Sequence, residues 1–253
     1  MILRCLVVLF LVLSISGAKF QFTGMASEHD FVIAIDASGS MLAQDYNPNR
    51  ISAAKEAAVD FVDSLPVETR VGLISFAGSS FVKQRLNNDL NEVKSSIENL
   101  EIETVGGTAI GGALIEGVNL LSEGKKSKII ILLTDGQNNV GASLEDAIEY
   151  INENGVLVHS IGIGTQEGGS FLDYDETVIS KLDEEGLKNI AEETGGRYYL
   201  AESKEELKSA FDEIADLKRQ KVDFSMEIYF MFIAIIILLA EWTLMSTKYR
   251  TIS

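Results

Sequence analysis

The sequence predicts an α/β protein with a doubly wound, mostly parallel sheet that carries helices on both faces, followed by a C-terminal transmembrane helix. Two observations predict the α/β domain: short apolar runs rich in β-branched residues, and helical patterns that alternate with them. Strands buried on both faces have such runs, and strand–helix alternation is typical of a parallel sheet. A third observation, a longer apolar run near the C terminus, predicts the membrane segment.

The elements of the domain follow in order along the chain. Four strands are predicted, at residues 31–36, 70–76, 128–134 and 155–163. The helix between the first two begins after Asn49, a good N-cap residue, and ends before a proline. Further helices are predicted to begin at Thr108, at Ser143 and at Ser203, the last with a capping box. The acidic segment 165–185 contains two adjacent glycines and no clear periodicity, which predicts an irregular excursion.

Length and composition restrict the classes of function. A chain of 253 residues accommodates one domain of roughly 190 residues with flanking segments. The 38 acidic and 21 basic residues give a net charge of -17, which argues against a nucleic-acid partner. The single cysteine, Cys5, lies in the N-terminal apolar stretch, so an intramolecular disulfide is excluded.

The C-terminal apolar run is unbroken over residues 228–240. At about 1.5 Å per residue, a helix over residues 228–247 approaches the roughly 30 Å thickness of a bilayer core. Trp242 suits the membrane interface. We therefore predict a juxtamembrane linker at 218–227, a transmembrane helix at 228–247 and a short tail at 248–253.

The N-terminal stretch has the form of an export signal. Arg4 precedes an apolar run, and Ser16-Gly17-Ala18 offers small residues for cleavage. Residues 1–27 are therefore a signal peptide or an N-terminal membrane anchor. In either case we expect a domain at 28–217 on the outer side of the cell membrane, on a chain that spans it once or twice.

Oxygen-bearing side chains lie at three predicted element ends. Asp36-Ala37-Ser38-Gly39-Ser40 directly follows the first strand, Thr108 follows Gly106-Gly107, and Asp135 follows the third strand. Carboxylate and hydroxyl oxygens suit a hard divalent cation. Ligands of a doubly wound sheet bind outside the carboxyl ends of the strands, so we expect a site there.

With these segments in this order, the chain from about residue 30 to residue 217 resembles a von Willebrand factor A domain with a metal-ion-dependent adhesion site. The resemblance implies five metal-site residues: Asp36, Ser38, Ser40, Thr108 and Asp135. It implies Mg²⁺, with Mn²⁺ as the alternative ion. It also implies that a protein partner's Asp or Glu completes the coordination.

A narrower resemblance rests on segments 41–50, 182–187, 194–198 and 241–250, which look like the Bat (aerotolerance) group of membrane-anchored members. This resemblance implies a membrane assembly with other Bat-like membrane proteins and a MoxR-type AAA+ ATPase as partners. It also implies that the protein is not an enzyme. That group usually has two helices before the domain, whereas one short apolar stretch precedes it here.

The alternative interpretation is that the chain is an enzyme, a Mg²⁺-dependent phosphohydrolase with Asp36 as its nucleophile. Such enzymes commonly have a second carboxylate two residues later, but position 38 is a serine. No convincing general base is visible in the sequence. The metal-dependent binding module is therefore the favoured interpretation.

Overall fold

The structure is a computed structural model. It describes residues 14, 19–22, 29–124, 126–136, 138–165, 169–173, 176–180, 182–217, 222–225 and 227–248. The contacts divide the chain into two compact units, residues 26–218 and residues 1–25 together with 219–253. The first unit contains the predicted domain.

Strands and helices alternate through most of the described chain. The strands are β1 (Lys19–Phe22), β2 (His29–Asp36), β3 (Arg70–Phe76), β4 (Ser80–Asn87), β5 (Ser127–Thr134), β6 (Val156–Ile163), β7 (Gly169–Asp173), β8 (Glu176–Ser180), β9 (Tyr198–Ala201) and β10 (Val222–Ser225). The helices are α1 (Arg50–Ser64), α2 (Leu90–Glu98), α3 (Ile110–Ser122), α4 (Leu144–Glu153), α5 (Glu184–Glu193), α6 (Lys204–Leu217) and α7 (Glu227–Lys248), with a short 3-10 helix at Gly39–Leu42.

The larger unit is organised around a six-stranded sheet with the order β4-β3-β2-β5-β6-β9. Five strands are parallel, and β4 runs antiparallel to β3 at one edge. From β2 the chain adds strands first on one side and later, from β5 onwards, on the other. This confirms the predicted doubly wound sheet, with its switch point between β2 and β5.

Helices cover both faces of the sheet and enclose two hydrophobic cores. One core lies beneath α1, α2 and α6, and the other beneath α3, α4 and α5. Alternate residues of β2 enter the two cores: Phe31, Ile33 and Ile35 face the first, and Val32 and Ala34 face the second. The strand is apolar throughout because both of its faces are buried.

Helix starts follow the predicted caps in most cases. The Asn49 side chain accepts a hydrogen bond from the Ser52 amide at 3.0 Å, and helix α1 begins at the next residue. The Ser143 and Ser203 hydroxyls cap α4 and α6 in the same way. These three serine and asparagine caps satisfy amides that the first helical turn leaves unpaired.

Two sequence predictions about local structure are wrong. Helix α3 begins at Ile110 rather than at Thr108, because Ala109, with φ −102° and ψ 66°, lies outside the helical region. The segment 165–185 is not irregular throughout, since β7 and β8 pair as an antiparallel hairpin and α5 begins at Glu184. Residues 166–168, 174–175 and 181 of that segment lie outside the described residues.

The smaller unit contains a two-stranded antiparallel ladder and a long helix. Strand β1 pairs with β10, which lies within the predicted linker 218–227. The predicted transmembrane segment 228–247 lies on α7, where Phe232 and Ile236 are 57% and 63% exposed. Within the part of the chain that the structure describes, no helix has both the length and the apolar character that crossing a membrane requires. Most of the predicted N-terminal segment 1–27 lies outside the described residues.

Candidate metal centre

The two predicted carboxylates lie at the carboxyl ends of neighbouring parallel strands. Asp36 is the last residue of β2, and Asp135 directly follows β5. Ile35 is paired in register with Leu133, so the two strands end at the same level. Both aspartates are completely buried. The sheet register therefore places two acidic side chains together at the switch point.

The two predicted serines bring their hydroxyls to these carboxylates. The Ser38 amide donates to Asp36 Oδ1 at 2.9 Å, and the Ser40 hydroxyl donates to Asp135 Oδ1 at 2.7 Å. The Ser38 and Ser40 hydroxyls are themselves hydrogen-bonded at 3.0 Å. The 3-10 helix at Gly39–Leu42 turns the chain immediately after β2 and so holds Ser40 against the end of β5.

The fifth predicted residue, Thr108, reaches the same place from another loop. A Cβ on Gly136 would lie 3.4 Å from Thr108 Oγ1 and 3.8 Å from Asp36 Oδ2. Asn139 holds the Thr108 loop from both sides, since its side chain accepts from the Thr108 amide at 2.8 Å and its own amide donates to the Thr108 carbonyl at 3.1 Å. The structure thus brings all five predicted residues together.

The electrostatics of this group favour a cation. Burial, and then the neighbouring Asp135 carboxylate, raise the pKa of Asp36 to about 7, although hydrogen bonds from Ser38 and Thr134 oppose this shift. A divalent ion would favour the ionised form of such a carboxyl group. A bound ion would therefore lower the pKa of Asp36 again.

The donor set fits a hard divalent ion, because all five side chains offer oxygen. Three of the five donors are neutral hydroxyls. Among the described residues, no three His, Cys, Asp or Glu side chains cluster as a metal site, so a site here depends on serine and threonine. Mg²⁺ and Mn²⁺ are ions that such an oxygen set accepts.

A buried arginine, Arg50, also belongs to this group and was missed in the sequence. Its side chain is completely buried and donates to Asp135 Oδ2 and, through Nε and a second nitrogen, to both oxygens of Asp45 at 2.9 and 2.6 Å. Burial opposes its charge, but the hydrogen bond and charge of Asp45 and of Asp135 raise its pKa above the ordinary value. Arg50 therefore neutralises part of the negative charge behind the five oxygens.

Three further polar residues support the site and were also missed. The Thr134 hydroxyl donates to Asp36 Oδ2 at 2.5 Å. Asn138 accepts from the Gly111 amide at 3.1 Å and, together with Asn139, fixes the loop after β5 to the Thr108 loop. Thr134 ends β5, and Asn138 and Asn139 follow Asp135 by a few residues. These positions are a usable signal, because Asn and Thr are common where side chains must replace backbone partners.

Two adjacent glycines of α3 give a test of how tightly these loops pack. A Cβ on Gly111 would lie 2.4 Å from the Ala142 carbonyl oxygen, whereas a Cβ on Gly112 would meet nothing closer than 3.8 Å. We expect Gly111→Ala to lower the free energy of unfolding by roughly 1–3 kcal/mol. The matched variant Gly112→Ala is expected to raise it by up to about 1 kcal/mol, because alanine favours a helix. Urea unfolding of both variants checks this; equal effects would contradict the close packing.

Comparison with known proteins agrees with the fold and the arrangement of the loops. The family model of the von Willebrand factor type A domain matches residues 30–213, which contain all five predicted residues. The chain belongs to the von Willebrand factor type A domain family. This match confirms the resemblance that the three loop segments indicate.

Solved structures support the narrower resemblance. BatB from Bacteroides thetaiotaomicron, a conserved hypothetical protein, is 28% identical with a TM-score of 0.68, over 76% of this chain and 99% of that chain. An aerotolerance-related membrane protein from Bacteroides fragilis is 26% identical with a TM-score of 0.67, over 75% of this chain and 98% of that chain. The von Willebrand factor type A domain described here is therefore similar to Bat proteins.

The curated relatives are longer proteins than this chain. A UPF0353 protein from Nocardia farcinica is 30% identical in an alignment of 206 residues that covers 73% of this chain and 62% of the relative. A UPF0353 protein from Mycobacterium avium is 32% identical over 195 residues and 58% of its length. The chain thus spans about 60% of the length of these relatives.

Proposed function

We propose that this protein is a membrane-anchored interaction module that binds one divalent ion, Mg²⁺ or Mn²⁺, and through it a protein partner. Asp36, Ser38, Ser40, Thr108 and Asp135 hold the ion, and an Asp or Glu of the partner completes its coordination. When bound, the ion supplies a positive charge that the partner's carboxylate recognises.

The observation that carries this proposal is the meeting of two carboxylates and three hydroxyls from three loops at the switch point of the sheet. Three of the five ligands are neutral, and Arg50 shares the charge of Asp135, so a bound dication stays incompletely neutralised and attracts a further anionic ligand. The residues of this chain bind and orient the ion, and Arg50 and Asn139 hold those residues in place.

We also propose that residues 228–247 anchor the domain in the cell membrane, with the domain on the outer side. Support comes from the exposed apolar side chains of α7, including Phe232, Ile236 and Trp242. The similar protein from Bacteroides fragilis is described as an aerotolerance-related membrane protein. Insertion of α7 into a membrane would remove these large apolar side chains from water, which is favourable.

The partners that we propose follow from the similarity to Bat proteins: other Bat-like membrane proteins and a MoxR-type AAA+ ATPase. The net charge of -17 suits a protein partner that offers few acidic residues beyond the one at the metal. Nucleic acid is not proposed as a partner for the same electrostatic reason.

We do not propose phosphohydrolase activity for the site. Asp36 is completely buried, and its two oxygens accept hydrogen bonds from the Ser38 amide and the Thr134 hydroxyl. The position two residues after Asp36, where such enzymes commonly carry a second carboxylate, is Ser38. Turnover of a panel of phosphate esters in Mg²⁺, lost in Asp36→Asn, would contradict this part of the proposal.

Capture of the partner tests the function. The tagged full-length protein is immobilised and exposed to detergent-solubilised membranes of the source cells, in Mg²⁺ or in EDTA. We expect one set of proteins to be retained in Mg²⁺ and released by EDTA. Ser40→Ala is expected to lose this set, and Ser122→Ala, a substitution of an exposed helical serine, to keep it. Capture that ignores both EDTA and Ser40→Ala would refute the proposal.

A further inference from the structure

Large apolar side chains are exposed mainly at the edge of the domain that holds the candidate metal centre. Among the described residues of the domain, the exposed large apolar side chains are Leu42, Val67, Phe81, Val82, Val105 and Val140. Single exposed apolar residues are ordinary on protein surfaces. Their distribution is the informative feature, because only Val67 of this set lies on a loop that precedes a strand, at the opposite edge of the sheet.

Three of these side chains lie on the three loops that carry the predicted metal residues. Leu42 ends the 3-10 helix that contains Ser40. Val105 lies just before Thr108 on the same loop, and Val140 follows Asp135 on the third loop. We call Leu42, Val105 and Val140 the apolar collar.

The loops of the apolar collar are fixed against one another. The Gly78 amide donates to the Val105 carbonyl at 3.2 Å, and a Cβ on Gly78 would lie 2.7 Å from Val105 Cγ1. A Cβ on Gly107 would lie 3.1 Å from both Cγ atoms of Val140. Close packing therefore holds Val105 and Val140 in place although their side chains are 43% and 38% exposed.

Charge on these loops restricts what can bind. The stretches 36–50, 103–110 and 135–143 contain one basic residue, Arg50, and it is completely buried and paired with Asp45 and Asp135. A second carboxylate on a bound segment would therefore meet no accessible basic side chain from these three stretches. An apolar neighbour of the carboxylate, by contrast, would meet exposed Leu and Val side chains.

We infer that the site recognises a protein segment in which a single Asp or Glu is flanked by large apolar residues that pack on Leu42, Val105 and Val140. This inference rests on the proposed function, since the carboxylate is the one that the metal attracts. The apolar contacts exclude water around the charged contact and so strengthen it. Each well-packed apolar flanking residue contributes about tenfold in affinity.

A displayed peptide library tests the inference. Each peptide has one fixed Asp with two randomised positions on either side, and the full-length protein in detergent selects binders in Mg²⁺ that EDTA elutes. We expect Leu, Ile, Val and Phe to be enriched about tenfold over Ser and Glu beside the Asp. The substitutions Leu42→Ser, Val105→Ser and Val140→Ser should each reduce the enrichment, and Val67→Ser should leave it unchanged.

The outcomes separate this inference from the function on which it rests. EDTA-eluted Asp peptides with no apolar enrichment, or with enrichment that survives all three collar substitutions, would overturn the collar and leave the metal-dependent function standing. An absence of EDTA-eluted peptides from a protein that binds Mg²⁺ would overturn both. Melting temperatures of the four variants confirm folding, and three separate collar variants keep the test valid if one of them does not fold.

Discussion

Asp36→Asn is expected to abolish binding of Mg²⁺ while leaving the protein folded. The substitution keeps the size of the side chain but removes one of the two carboxylates proposed to bind the ion. We expect the affinity for Mg²⁺ to fall by at least about 100-fold, because even residues that only support metal ligands commonly account for 10–100-fold. Isothermal titration of the purified full-length protein with Mg²⁺ measures the change.

The metal-free stability of the same variant gives an independent test. In the metal-free protein, burial and the Asp135 carboxylate raise the pKa of Asp36 from 3.8 to about 7. Stability therefore falls as the pH rises from about 4 to about 7, and this cost is fully present above pH 7. A neutral Asn removes this cost, and we expect Asp36→Asn in EDTA at pH 7.5 to be at least as stable as the wild type. A large loss of stability would contradict this electrostatic account.

Asp30→Asn is the matched control, because Asp30 is a completely buried aspartate on the same strand. It lies at the other end of β2 and pairs with Arg70, through Nε at 3.0 Å and a second nitrogen at 2.5 Å. We expect Asp30→Asn to cost about 1 kcal/mol, since Arg70 is partly exposed and solvent screens the pair. Mg²⁺ affinity should not change; a loss in both variants would mean that the effect of Asp36→Asn is not local.

Arg50→Met is expected to be the most destabilising single substitution at the site. It removes the buried positive charge that pairs with Asp45 and Asp135 while both carboxylates stay largely buried. Breaking a buried ion pair from one side typically costs about 3–5 kcal/mol, which corresponds to a fall of roughly 10 °C in melting temperature for a domain of this size. Arg50→Lys retains the charge but loses the two-pronged contact with Asp45, so we expect an intermediate loss.

Added Mg²⁺ distinguishes the electrostatic role of Arg50 from a packing role. If Arg50 balances the charge of Asp135, Mg²⁺ should raise the melting temperature of Arg50→Met by more than it raises that of the wild type. An equal rise in both proteins would indicate that Arg50 contributes only packing. Arg85→Met, which breaks an exposed pair with Glu123, serves as the control and should leave the melting temperature almost unchanged.

The parts of the fold that the sequence predicts well are those buried on both faces. Strands β2, β3, β5 and β6 are apolar over nearly their whole length, so their position is visible without tertiary information. Strand β4 was missed because it is an edge strand whose residues Lys83, Gln84 and Arg85 face solvent or make polar contacts. Strand β9 has only four residues, and its pairing with β6 depends on the folded sheet.

The residues of the site also divide into those that the sequence alone predicts and those that become apparent only in the folded structure. The five oxygen residues occur in short local patterns, at the ends of β2 and β5 and, for Thr108, just before α3. Such patterns are readable from one sequence, and their assignment to a metal site follows from the family resemblance. Arg50 contacts a carboxylate 85 positions away, and Asn139 contacts a loop 31 positions away. An arginine at the first position of a helix usually faces solvent, so its burial against Asp135 becomes apparent only when β5 lies beside the start of α1.

The central claim is that Asp36, Ser38, Ser40, Thr108 and Asp135 hold one divalent ion. Anomalous diffraction from a crystal of the full-length protein grown with Mn²⁺ tests it most directly. We expect one strong manganese peak, within about 2–2.5 Å of the coordinating oxygens of this group, that is absent in Asp36→Asn. A peak elsewhere on the acidic surface, or none at this edge of the sheet, would contradict it.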